Sequence, residues 1–470
     1  MPLPAAISTR WRDSEAHHRA TLIGILSVVP LLLWWLGWFP GLLSSDSIDQ
    51  LGQVNRFEFS NQHPAAHSLL MWLITRLWDH AGMITLVQVV AMAAVLAFIA
   101  GRLARAGLPA VGAGVVAIGI AALPAVSATT ITIWKDVPYT VCLLWAFGEL
   151  LGLATDPGGW DRRTPVIRLG LALAGVWLFR HNGFLTVVPV LVVAWLLCRR
   201  TSARGVYRAG VTALGVVAGI MFLLYSLVGV DRGSIEPGTV FISDVAASLH
   251  HEPHNFSDTE LEYLSRIAPL EVWSMAYDCH DSTPLVFSPA FDSGVITADP
   301  GRFRSLVFDT YLRDPDTVLG HRWCAASYLV VPWQPDGAYF QRPPFDIPAN
   351  DLGIDRDPIS DRMFDVTFSI FQWAEPDSRL WLTWRPGLAV VGGSAAIAAL
   401  AWRRRINGLG VAIALFTAQL ANVALTTPAQ EFRFAFALYV IGWLWVAVAA
   451  ARLVGSDGAV ATAEAGEGTR

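Results

Sequence analysis

Five short polar segments of this 470-residue chain carry side chains that could do chemistry, and each is flanked by apolar sequence. The first, PGLLSSDSIDQ, sets Asp46 and Asp49 three residues apart, a spacing that puts both carboxylates on one face of a helix. A partly desolvated carboxylate can act as a general base toward a hydroxyl or can bind a divalent cation. It equally suits the positive end of a helix begun by Ser44 or Ser45. The second segment, NQHPAAHS, holds His63 and His67 at i, i+4. That is metal-ligand spacing, but no third ligand is near in sequence, so no metal is assigned and His63 is read as facing the site from a turn.

The third segment, ITIWKDVPYT, places Lys135 beside Asp136. A lysine is a point-like cation suited to phosphate, and the adjacent acid can orient it or the substrate. The fourth, WLFRHNGFL, confines Arg180, His181 and Asn182 to a turn before Gly183, and arginine makes bidentate phosphate contacts. In the fifth, TTPAQEFRFAF, Glu431 and Arg433 either pair with each other or face a ligand. Each segment also admits a plain reading as a capped surface helix or an interfacial cation beside aromatic side chains. Together they supply acids near one loop and cations at three others, which suits an anionic head group plus proton transfer.

The elements that must carry these segments are membrane helices. The chain is 54% hydrophobic and only 15% charged, with 20 Trp and a mean hydropathy of +0.47. So little charge excludes an ordinary soluble domain. Apolar blocks of span length predict ten transmembrane helices, at about 20–39, 82–100, 108–126, 137–154, 166–179, 183–198, 209–229, 386–401, 408–425 and 433–451. The short loops between them are basic on one side only (Arg102, Arg105; Arg162, Arg163; Arg199, Arg200; Arg403 to Arg405), which puts that side and both termini in the cytoplasm. The net charge of −5 is therefore a matter of topology, and nucleic acid is not an expected partner.

Stretch 65–78 is too short to cross the membrane and is expected to lie along the outer interface. Residues 1–229 form an N-terminal transmembrane module, 230–380 an external, mainly helical domain, 381–451 the C-terminal spans, and 452–470 a disordered cytoplasmic tail. Cys142 and Cys198 fall in spans, whereas Cys279 and Cys324 are external and either pair or stay free.

The run PGLLSSDSIDQ after the first span, HP before the interfacial helix, WKDVPY, RHNG and the terminal EFR resemble a bacterial branch of the GT-C glycosyltransferase superfamily. The layout is similar to that of protein mannosyltransferases and lipid A aminoarabinose transferases. The resemblance implies an all-α, polytopic plasma-membrane enzyme that moves a sugar from a polyprenyl-phosphate carrier to an extracytoplasmic acceptor with inversion. It also implies Asp46, with Asp49, as catalytic base or cation ligand, and Lys135, Arg180 and Arg433 at the carrier phosphate. His63, Asp136, His181, Asn182 and Glu431 would line the substrate. The chain departs from those families in placing its polar domain between the seventh and eighth spans and in having Asp-Ser-Ile-Asp instead of Asp-X-Asp. A transporter or flippase for an anionic lipid would use the same cations.

The topology has a direct check. A membrane-impermeant maleimide applied from outside should label His280→Cys and leave Arg404→Cys untouched; labelling at position 404 would overturn the orientation.

Overall fold

The computed structural model describes residues 5–156, 158–231 and 239–467, and among them the elements are helices joined by loops with four isolated bridges. Seven helices are long and apolar enough to cross a membrane: Glu15–Gly37, Ala81–Arg105, Asp136–Thr155, His181–Cys198, Ala203–Val228, Asp377–Trp402 and Phe432–Leu453. An eighth is counted if Ala110–Ala122 and Pro124–Thr130, bent by 68° at their junction, form one broken span. The ten expected spans are thus reduced to seven or eight. Pro124 lacks the amide hydrogen that would continue the helix, which breaks the stretch expected at 108–126. Helices Arg163–Leu178 and Gly410–Thr426 have 16 and 17 residues. At about 1.5 Å per residue they fall short of a roughly 30 Å hydrocarbon core.

Helix Ala65–Thr75, with 11 residues, is shorter still. The last helix continues to Glu467, so 452–467 is helical where a disordered tail was expected; residues 468–470 lie outside the described residues.

The last span is the most enclosed: Phe436, Leu438, Val440, Ile441 and Trp445 are all fully buried. Helix Gly387–Trp402 packs along it through facing glycines. A Cβ on Gly393 would lie 2.9 Å from Gly442 Cα, and one on Gly442 would lie 2.3 Å from Ala389 O. Small residues let two backbones approach in a membrane, where dispersion must replace the hydrophobic effect. At the basic end of the bundle, Glu149 is fully buried between Arg102 Nη2 at 3.0 Å and Arg168 Nε at 2.8 Å. A carboxylate at such a depth needs this pairing.

Segment 230–380 has its own apolar core, built on Leu264, Trp273, Ile296 and Phe303; its residues 232–238 lie outside the described residues. Cys279 and Cys324 form a disulfide with Cα atoms 5.8 Å apart. The segment also grips the connection into the last span. Gln430 N–H donates to His280 O at 2.8 Å and its side-chain amide to Cys324 O at 2.9 Å, while Phe432 N–H donates to Gln341 O at 2.9 Å.

Gly442→Ala should lower the thermal midpoint in detergent by several degrees, since an extra methyl against backbone costs about 1–3 kcal/mol. An unchanged midpoint would mean that the two helices do not pack this closely.

Candidate functional site

Asp46 owes its position to two local devices. Ser44 and Ser47 form a reciprocal capping box that starts helix Ser45–Arg56, satisfying amides that a helix start leaves open. The same stretch is bonded to the loop before the third span. Leu42 N–H donates to Ile131 O and Ile133 N–H to Leu42 O, each at 3.0 Å, while Ser47 Oγ donates to Ile133 O and Trp134 Nε1 to Ser44 Oγ, each at 2.8 Å. Asp46 and Lys135 are therefore carried by one bonded unit although 89 positions separate them.

Four connections converge here. Arg433 Nη1 donates to Asp46 Oδ2 at 2.7 Å, and its Nε also donates to Glu431 Oε2. Arg180 Nη1 donates to Asp136 Oδ1 at 2.7 Å and its Nε to Asn182 Oδ1 at 3.2 Å. Lys135 Nζ donates to His63 Nδ1 at 3.0 Å. His181 lies against the backbone of Asn61 and Gln62, so the loop bearing His63 is held at a second point. One member of the expected set, Asp49, behaves differently, and His67, which the sequence pairs with His63 by spacing only, stands apart from the site. Asp49 turns outward to solvent and accepts from Gln53 Nε2 at 2.8 Å. Three residues after Asp46, it stands about 60° further round the helix, enough to leave Arg433 to Asp46 and turn Asp49 to solvent. His67 is buried against Gln50 Oε1 at 3.2 Å, so His63 and His67 serve different partners and form no metal pair.

Aromatic rings complete the arrangement. Arg433 lies over Trp134 at 5.4 Å, and Arg180 over Tyr139 at 5.4 Å and Phe434 at 5.2 Å, contacts that favour a partly desolvated cation. From Arg180 a chain of polar side chains runs into the bundle. Asn182 Nδ2 donates to Thr426 Oγ1 (2.6 Å), Asn422 Nδ2 to Thr186 Oγ1 (3.0 Å), and both Thr186 Oγ1 (2.8 Å) and Tyr139 OH (2.5 Å) to Gln419 Oε1. Reading the sequence for charged loops misses this ladder. Its signal was Gln419 and Asn422 at i, i+3 in an otherwise apolar helix, where amides are retained only if partnered.

The charges nearly cancel: Asp46, Asp136 and Glu431 stand against Lys135, Arg180 and Arg433. Burial alone would raise the Asp46 carboxyl, but Arg433, Lys135 and the hydrogen bond hold it down at about 2. Burial and then Lys135 push His63 down to about 4, so at neutral pH its Nδ1 accepts from the lysine. Burial lowers Lys135 despite Asp46 and Asp136, and burial raises Glu431 despite Arg433. Among the described residues, Lys135 has no carboxylate in ion-pair contact, which leaves it as the cation open to an added anion. Asp136 Oδ2 is buried without a hydrogen-bond partner in the protein. A divalent cation does not fit at Asp46, because Arg433 holds its carboxylate and Lys135 adds like charge. The grouping of metal-type ligands found among the described residues, Cys279, His280 and Cys324, contains the disulfide.

Beside the cluster lies an apolar cleft of about 200 Å³ lined by His67, Met71, Val87, Val137, Pro138 and Phe179. Val137 and Pro138 directly follow Lys135 and Asp136, so the charged cluster and the cleft share one helix start.

The His63–Lys135 contact has a defined pH signature. Unfolded His63 titrates near 6.5 and the folded side chain near 4, so the unfolded state takes up more protons between these values. Stability is complete above about pH 6.5 and declines as pH falls toward 4. His63→Gln should flatten the decline of the thermal midpoint across this window; an identical slope in the variant would place the titrating group elsewhere.

Compared with known proteins, the chain matches no family model, no curated protein and no solved structure.

Proposed function

We propose that this chain is a membrane glycosyltransferase that takes its sugar from a polyprenyl-phosphate carrier and passes it to an acceptor hydroxyl on the outer side. One observation carries the reading: an acid and three cations from four separate connections meet beside an apolar cleft. A lipid carrier presents the same pairing of features, a phosphate joined to a hydrocarbon chain.

In this reading Lys135 makes the first contact with the phosphate, and the hydrocarbon lies along the cleft. The acceptor oxygen attacks the anomeric carbon, its proton passes to Asp46, and the bond from that carbon to the phosphate oxygen breaks with the electron pair leaving on the phosphate. The cations stabilise the charge that develops there. While Arg433 grips it, Asp46 is a weak base. A phosphate that draws Arg433 away frees the carboxylate, so base strength follows donor binding. Asp136, with one free oxygen, is placed to accept from a sugar hydroxyl.

A second reading has its own observation. The polar ladder from Asn182 to Gln419 and the helix broken at Leu123 are features of transporters, which place polar groups and broken helices inside the bundle. An anionic-lipid flippase would use both.

Purified protein in vesicles with a polyprenyl-phosphate sugar separates the two. Asp46→Asn should cut transfer by about 100-fold or more, the scale of losing a general base, while carrier binding is kept or strengthened because Arg433 is released. Lys135→Ala should weaken both. Full transfer by Asp46→Asn would remove the catalytic assignment, and carrier movement between leaflets without transfer would favour the flippase.

A further inference from the structure

Helix Asp361–Ala374 falls in the segment that the sequence assigns to a water-exposed domain, yet it packs against the membrane bundle. Its start is tied to the outer end of the first span: Asp357 N–H donates to Phe39 O at 2.9 Å and Ser360 N–H to Leu36 O at 3.2 Å. Gly37 lets the two backbones touch, since a Cβ there would lie 2.7 Å from Phe364 N. Phe364 and Phe371 then pack on Trp38 at 5.2 and 5.7 Å, and Trp38 Nε1 donates to Thr367 Oγ1 at 2.8 Å.

The rest of the helix divides in two. Asp365, Ser369 and Gln372 form an exposed polar face, and Val366, Ile370 and Trp373 form an apolar stripe at i, i+4 and i+7. These three are 49%, 38% and 49% exposed. A helix packed on a water-soluble domain needs two faces, one inward and apolar and one outward and polar. This one has three, and the third is covered by nothing among the described residues. Exposed apolar side chains also stand on the first span, at Val29 and Leu33, and on the next helix, at Trp381 and Leu382. Arg379 lies over the Trp373 ring at 5.2 Å and donates to Trp373 O at 2.8 Å. Its charge is thereby brought beside the indole, as happens where side chains reach from an apolar surface to the headgroup layer.

We infer that helix Asp361–Ala374 is seated in the outer leaflet, with Val366, Ile370 and Trp373 in the acyl-chain boundary and Asp365, Ser369 and Gln372 in water. The occupant of the third face is lipid, because the helix that bears it packs along the apolar first span at Leu36 to Phe39 and presents Val366, Ile370 and Trp373 uncovered beside it. The polar segment therefore does not stand clear of the bilayer, and this conclusion is independent of whether the chain transfers sugars.

The test uses the full chain with Cys142→Ala and Cys198→Ala and the Cys279–Cys324 disulfide intact. Ile370→Cys and, separately, Ser369→Cys are labelled with an environment-sensitive fluorophore and reconstituted into phosphatidylcholine vesicles containing doxyl-labelled lipid. The label at 370 should be quenched at least twofold more than that at 369, and should emit at shorter wavelength. Val366→Cys should repeat the result if Ile370→Cys fails to fold. Equal, weak quenching at 366, 369 and 370 would overturn the inference. So would a label at 370 that is shielded from water yet unquenched by lipid, since another protein or a second copy would then cover the face.

Discussion

Arg433 stands at the start of the last apolar helix, where a cation needs a counter-charge before its helix can settle in a membrane. It has two, Asp46 from the first external loop and Glu431 from its own connection. The bond to Asp46 closes a distance of 387 positions, and much of the outer face is arranged around it. It fixes the first loop, which brings His63 to Lys135. The unit bonded to that loop brings Lys135 and Asp136, and Asp136 in turn holds Arg180. Removing Arg433 would leave the partly buried Asp46 and the buried Glu431 without their ion-pair partner, which costs more than the pairs contribute.

The polar segment acts as a frame for this closure more than as a lid over it. Its disulfide joins the loop at Cys279 to the helix bearing Cys324, and both sides of that joint present carbonyls to Gln430. Gln341 holds the other edge of the same strand-like stretch. Glu431 and Arg433 follow directly, so their aim depends on a clamp built outside the membrane. At the opposite end of the bundle, Glu149 between Arg102 and Arg168 performs a structural closure of its own. The two ends differ in one respect: at the end bearing Arg433 the charges adjoin a cleft and, among the described residues, leave Lys135 without an ion-pair partner.

Near-neutrality is also what makes the outer cluster compatible with an incoming anion. A set of unpaired cations at the membrane edge would be unfavourable without ligand, and a fully paired set would have nothing to offer. Here one lysine is open, one arginine is held by carboxylates that a phosphate can replace, and one carboxylate oxygen has no partner.

Sequence alone determined that the chain is helical and carries several helices apolar enough to cross a membrane, because hydropathy follows from residue type without reference to neighbours. It also identified the polar loops, since charges beside apolar blocks are visible one at a time. It overcounted the spans, because it could not register that Pro124 breaks one helix and that two others end short of the membrane thickness. Only the tertiary structure decided which charges meet. Asp46 and Asp49 are equivalent by spacing, yet one faces Arg433 and the other faces water, and that depends on how the helix is rotated by its bonds to residues 131–134. The ladder of Gln419, Asn422 and Thr186, the pairing of Cys279 with Cys324, and the third face of helix Asp361–Ala374 were hidden for the same physical reason. Each is a relation between helices distant in sequence, and a pattern read along one chain segment carries the faces of a helix but not what lies against them.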